Sequence, residues 1–161
     1  MEKHPLVLFD IGGVLLKLQF SEFYQAAARA SGRHSPEEFK EIYVTSRLEE
    51  KALRGQITAA EFYAGLRNIV GESSDVSEII MKMWDAPVED MVHLKEEVYK
   101  SGVAVGLFSN IHTTALDILR PRHPDIFNVF NSDFPVILSH EKKVLNLSAA
   151  CMMLSLVSLI R

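Results

Sequence analysis

One cysteine, Cys151, is all the thiol chemistry available to this chain. An internal disulfide and a multi-cysteine metal site are therefore excluded, and a reducing, cytoplasmic location is the expectation. There is also no long run of lysine or arginine. The 17 basic and 21 acidic side chains are interleaved and leave a net charge of −4, so nucleic acid is not an expected partner. No cleavable leader is expected, because the first apolar run is broken by Asp10 and no small-residue cleavage site follows. The apolar C-terminal stretch LSAACMMLSLVSLI is shorter than the ~20 residues that cross a bilayer. It is expected to form a buried helix, and no membrane partner is expected. Repeats and low-complexity tracts are lacking as well.

What remains is an ordinary globular composition. The chain has 161 residues, 48% hydrophobic and 24% charged, enough for one domain or for one domain with a small insertion. Leu6–Phe9 is a short apolar run between Pro5 and a glycine pair, as in a strand buried on both faces of a parallel sheet. A block of helical patterns follows. Ser21 is the expected cap of a helix to about Ala30. Ser35, Pro36 and Glu38 spell a capping box with proline at the first helical position, in a segment that ends at Gly55. Thr58 and Glu61 form a second box, followed by Phe62, Leu66, Ile69 and Val70 at helical spacing. Val76, Ile79, Ile80 and Met83 repeat the pattern, and another helix runs from about Val88 to Lys100.

The period then changes to that of strands. VAVGLFSN, from Val103 to Asn110, is a second apolar strand ending in small polar residues. A short helix is expected from Thr113 to Leu119, then a loop containing Pro121 and Pro124, then a third strand in PVILS, Pro135 to Ser139. Strand, helical block, strand, helix, strand describes an α/β fold, a Rossmann-like parallel sheet core with an inserted helical cap. Residues 1–16 and 101–161 would form the discontinuous core, and 17–100 the cap and its connecting helix.

Ligands bind at the carboxyl ends of such strands. Asp10 and Ser109 both stand there. A carboxylate is costly to bury unpartnered, and Gly12 and Gly13 just after it would let a ligand approach the backbone closely. Their N–H groups would face an anion and a nearby carbonyl a cation. Such a carboxylate suits attack on a phosphoryl group, with Ser109 and Asn110 supplying donors to phosphate oxygens. The plainer reading is a solvated aspartate at the start of a turn whose glycines serve turn geometry. Residues alone leave both open.

LVLFDIGGVLL resembles the first motif of the haloacid dehalogenase superfamily, and GLFSN its second. LRGQITAAEFYAGL, from Leu53 to Leu66, is similar to cap segments of the subgroup that includes small sugar-phosphate phosphatases. ILSHE, Ile137 to Glu141, resembles the run into the third motif. The resemblance extends from about Val7 to Leu145. It implies that Asp10 is nucleophile and metal ligand, that the Gly12 carbonyl is the second protein ligand to Mg²⁺, and that Ser109, Asn110 and Gly13 hold the phosphate. The implied substrate is a small phosphorylated metabolite, possible sugar phosphates included, hydrolysed under a cap that closes over the site.

Three departures accompany the likeness. The family's general acid/base, two residues after the nucleophile, is replaced by Gly12; His112 is near in sequence but reads as an exposed loop residue. The family's third-motif lysine and proline fall on Asn146 and Leu147, with Lys142 and Lys143 before them as surface charges. No Asp or Glu follows Asn146 to complete a metal site. The stretch from Asn146 differs in style from what precedes it, as a shifted reading frame, an alternative exon or a truncated gene would produce. The alternatives to a phosphatase are an inactive binding module on the same scaffold and a metal-free 2-haloacid dehalogenase. A sheet lacking its last strand, or the apolar tail, would favour self-association.

Overall fold

The computed structural model describes residues 6–128 and 136–143. The expected C-terminal helix, Cys151, Pro135, and the motif positions Asn146 and Leu147 lie outside the described residues.

Three parallel strands form the expected α/β sheet: β1 (Leu6–Phe9), β4 (Ala104–Ser109) and β5 (Val136–Leu138), in the order β1-β4-β5. Leu6 pairs with Ala104 and Phe9 with Leu107, while Ser109 pairs with Leu138. This register sets the carboxyl ends of β1 and β4 side by side. Central β4 buries Val105, Gly106 and Leu107, as a strand covered on both faces should. The same expectation fails for β1. Only Phe9 of that strand is buried, and Val7 is 36% exposed. Its place at one edge of the described sheet explains the difference.

The chain leaves the sheet after Phe9 and returns at Ala104. On the way it makes a small antiparallel pair from β2 (Leu16–Leu18) and β3 (Trp84–Pro87), which brackets five helices. These are α1 (Phe20–Ser31), α2 (Pro36–Ser46), α3 (Leu48–Leu53), α4 (Ala59–Val70) and α5 (Val76–Met81). The pair β2–β3 has no counterpart in the sequence reading. Its strands are too short to show a period, and Met83 beside it fits the helical spacing of Val76, Ile79 and Ile80.

The capping boxes form as spelled. Ser35 accepts from the Glu38 N–H and Glu38 from that of Ser35; Thr58 and Glu61 do the same. Each such cap contributes about 1 kcal/mol. Three boundaries differ from expectation. Helix α1 starts at Phe20 after Gln19, so Ser21 is not its cap. The segment from Pro36 to Gly55 breaks into α2 and α3 at Arg47, whose φ is +54°. Helix α7 (Thr113–Arg122) continues past Leu119 and takes Pro121 into its last turn, so the ring, which cannot donate to the carbonyl four residues back, sits where the helix ends. The remaining helices are α6 (Glu89–Lys100), α8 (Pro124–Phe127) and α9 (Ser139–Lys142).

The helical block has an aromatic interior. Phe23 meets Tyr43 edge-on at 5.0 Å and Phe39 at 5.7 Å, and Phe62 and Leu66 of α4 are fully enclosed. Helices α4 and α5 pack on α7, and α3 packs on α9. Helix α6 lies against β4 and buries Lys95 entirely. The Lys95 Nζ donates to the carbonyls of Asp125 and Ile126 and to Asn128 Oδ1, a cation set on the free carbonyls at the end of α8.

Candidate active site

Asp10 follows β1 directly and is partly buried. Its Oδ1 accepts two hydrogen bonds, from the Ile11 N–H at 2.7 Å and from the Ser109 Oγ at 2.8 Å. Oδ2 accepts none from the described residues. Ser109, at the end of β4, is 1% exposed, so its hydroxyl has little alternative to the carboxylate. The two strand ends thus meet as the sequence required. Asn110 follows as an exposed residue on the same side-by-side edge.

The glycines divide their work differently from expectation. Gly13, with φ +78°, turns the chain, and its N–H donates to the Leu16 carbonyl at 2.7 Å. That proton is already committed, which removes Gly13 from the free donors expected to meet a phosphate. The Leu16 N–H in turn donates to the Ile11 carbonyl at 2.8 Å. Between these two bonds lies Gly12, whose own N–H and carbonyl have no partner among the described residues. Next to Asp10 the loop therefore presents the N–H and the carbonyl of Gly12, neither of them committed to another described residue.

The place of a side chain at position 12 is already taken. A Cβ there would stand 3.0 Å from Leu18 Cδ1 and 3.5 Å from Trp84 Cζ3. The antiparallel pair β2–β3 thus closes the space that an acid at this position would enter. Trp84 is buried, and its indole Nε1 has no hydrogen-bond partner among the described residues.

His112 is the clearest correction. It was expected on an exposed loop and is instead 3% exposed. Its Nδ1 accepts from the Ala115 N–H at 3.3 Å and so caps α7. The ring packs on Phe62 with centroids 4.5 Å apart. Burial depresses its pKa, with His140 acting in the same direction and Glu49 opposing. A neutral ring whose Nδ1 is an acceptor carries its proton on Nε2, and that atom faces Glu49 Oε1 at 3.7 Å. Glu49 also accepts from the Tyr43 hydroxyl. A buried ring that caps α7 through Nδ1 and packs on Phe62 is poorly placed as a mobile acid. What it does is fasten the helical block to the loop after Ser109.

Sequence reasoning missed Glu49, Tyr43 and Leu18 here, since the Glu49–His112 contact joins distant segments and the six-residue steps from Gly12 to Leu18 and from Tyr43 to Glu49 each cross a turn or a helix break. Behind the loop, Ser139 Oγ and His140 Nδ1 both approach the Ile111 carbonyl, at 3.3 and 2.7 Å. Lys142 and Lys143 are exposed, as expected of surface charges. Among the described residues no group of three or more His, Cys, Asp or Glu side chains could hold a metal ion, and none of the helices is long and apolar enough to cross a membrane.

No protein-family model matches the sequence, and no curated protein matches it. Solved structures do. A HAD family enzyme from Bacteroides thetaiotaomicron, in complex with magnesium and inorganic phosphate, aligns with a TM-score of 0.74 at 17% identity over 95% of this chain and 77% of that one. A predicted HAD-like family hydrolase from Porphyromonas gingivalis aligns with 0.74 at 17% identity over 98% and 77%. An L-2-haloacid dehalogenase from Xanthobacter autotrophicus, with chloropropionic acid covalently bound, aligns with 0.54 at 16% identity over 95% and 64%. At such identities the likeness establishes the fold alone, an α/β core of the kind these HAD-like structures share.

Proposed function

We propose that this chain is a hydrolase of the haloacid dehalogenase type, acting on a small phosphate ester through an aspartyl-phosphate on Asp10. The observation that carries the reading is the Asp10–Ser109 contact at the joined carboxyl ends of β1 and β4. With Oδ1 held by two donors, Oδ2 is the oxygen free to attack. The bond it forms to phosphorus replaces the ester P–O bond, whose electrons leave with the alcohol oxygen. Water then attacks the acyl phosphate and returns the carboxylate and inorganic phosphate. The Gly12 N–H is the donor at hand for the phosphoryl oxygens, and the Ser109 hydroxyl, whose one proton lies on Asp10 Oδ1 without ligand, would turn to them when phosphate binds. Asn110 is proposed as a further one.

Mg²⁺ fits the donors present at a minimum. Asp10 and the unpartnered Gly12 carbonyl are the hard oxygen ligands this cation takes, with water and phosphate filling the rest. When bound, it would offset the repulsion between carboxylate and phosphate. Gly12 carries no acid to protonate the leaving group, which favours esters whose leaving group departs readily, such as an anomeric phosphate. Residues 17–100, the helices between β2 and β3 together with the connecting helix α6, are proposed as the cap and its connection, over a core of 1–16 and 101–161.

A second reading, an inactive binding module, is favoured by Asp10 having no ion-pair partner among the described residues. A third, metal-free dehalogenation, draws on the fold shared with the Xanthobacter enzyme. Assay of the full chain on a sugar-phosphate panel with Mg²⁺ separates them. Phosphate release abolished by Asp10→Asn supports the phosphatase; a folded, silent protein supports the module; chelator-insensitive halide release from 2-haloacids supports the dehalogenase. The only tryptophan abuts Gly12, so Trp84 fluorescence reports Mg²⁺ or phosphate binding independently of turnover.

A further inference from the structure

A groove of about 720 Å³ lies in the helical block, along α1 and the start of α2. Neither Asp10, Gly12 nor Ser109 lines it. Its size is that of a small-molecule site. One wall is aromatic: Phe20 and Tyr24 stand with ring centroids 6.3 Å apart. Phe20 is 44% exposed, a large apolar ring at the head of a helix that the core leaves uncovered. Two cations, Arg29 and Lys40, line the groove as well, with His34, against a single acid, Glu37. None of these three bases makes an ion pair within 4.0 Å among the described residues, although Arg47, Arg54, Lys100 and Arg122 elsewhere all do.

Phe20 and Tyr24 also border a smaller cavity of about 270 Å³ on their other side. That one contains Glu49 and Glu50 against Arg47, and Glu50 is held ionised by Arg47 and Arg54, its pKa lowered to about 2. The two aromatic rings therefore divide an acidic cavity from a basic groove. An anion is repelled by the first and attracted by the second.

We propose that the basic groove is a second ligand site, separate from Asp10, that takes a nucleoside phosphate. Its base stacks on Phe20 and Tyr24, where any base presents a suitable face. Its phosphate reaches Arg29, His34 and Lys40. A sugar phosphate without a base would satisfy only the cations, and a free nucleoside only the aromatic rings.

Isothermal titration of the full-length chain at low salt, with ADP, adenosine and ribose 5-phosphate in parallel, tests this. ADP is expected to bind at least tenfold more tightly than either fragment. The Arg29→Ala/Lys40→Ala double variant and Phe20→Ala should each weaken ADP at least tenfold, while Asp10→Asn leaves its affinity within twofold. All these side chains lie at the surface, and circular dichroism checks that the fold persists. No ADP binding at millimolar concentration overturns the proposal. So does binding lost with Asp10→Asn but kept in the groove variants, which would put the nucleotide at Asp10. Ribose 5-phosphate binding as tightly as ADP would also overturn it, leaving a plain anion patch.

Discussion

Ser109 Oγ lies 2.8 Å from Asp10 Oδ1 although 99 residues separate the two in the chain. Parallel pairing of β1 with β4 is what brings them together, since Phe9 and Leu107 are register partners. The contact leaves Oδ2 as the carboxylate oxygen with no hydrogen-bond donor among the described residues. Asp10→Asn is expected to abolish Mg²⁺-dependent phosphate release while leaving the fold intact, because the amide oxygen still accepts from Ile11 and Ser109. Ser109→Ala, which removes one donor from the developing charge, should lower kcat/KM about 10²-fold. Steady-state assays on the same sugar-phosphate panel measure both. Equal activity of wild type and Asp10→Asn would end the assignment.

Leu18 occupies the space that a side chain at position 12 would need. It is 37% exposed and free to move, so Gly12→Ala should cost less than about 1 kcal/mol in a urea titration. An acid there needs more room. Gly12→Asp combined with Leu18→Ala is expected to speed hydrolysis of esters with poor leaving groups by about 10²-fold or more, the usual contribution of a general acid. Esters with good leaving groups should change little. A uniform change across both kinds would show that the new carboxylate is not protonating the leaving group.

The sequence announced elements where one residue type has one physical role. Ser35 with Glu38 and Thr58 with Glu61 could hardly mean anything but helix starts, and both formed. Leu6–Phe9 and Ala104–Ser109 were legible because unbroken apolar runs bounded by small residues are strands of a covered sheet. Where meaning depends on distant partners, local reading failed. Nothing around His112 tells that Phe62 will cover its ring or that Glu49 will face its Nε2. Gly13 looked like a phosphate donor until its N–H was found on Leu16. Of the candidate site, the placing of Asp10 and Ser109 at two strand ends was legible; its surroundings were not.

Two glycines with similar backbone angles should respond differently to alanine. Gly13 has φ +78° with open space around its missing Cβ, and Gly55 has φ +61° with the His140 carbonyl oxygen 2.3 Å from that position. Gly13→Ala therefore carries only the left-handed strain, roughly 1–2 kcal/mol. Gly55→Ala carries similar strain and also forces apart the turn after α3 and helix α9, which pack together. Its urea midpoint should fall clearly below that of Gly13→Ala. Equal midpoints would mean that this seam yields freely.

His112 sets a pH dependence whose sign can be worked out. Burial holds its pKa below the ordinary value of 6.5 in the folded protein, while the unfolded chain titrates near that value. As pH falls below about 6.5, the unfolded state takes up a proton that the folded state resists. Stability is then present above the unfolded pKa and is lost as pH falls through the folded one. Glu49 works against this, since its carboxylate favours the imidazolium. Thermal unfolding between pH 7.5 and 5.5 should show a falling Tm. In His112→Asn, which keeps an N-cap acceptor without a titrating ring, the slope should flatten. In Glu49→Gln, which removes the opposing charge, it should steepen. A Tm that rises on acidification would mean that the Glu49 attraction outweighs desolvation, and that the helical block is held to the β4 loop by an ion pair rather than by a neutral contact.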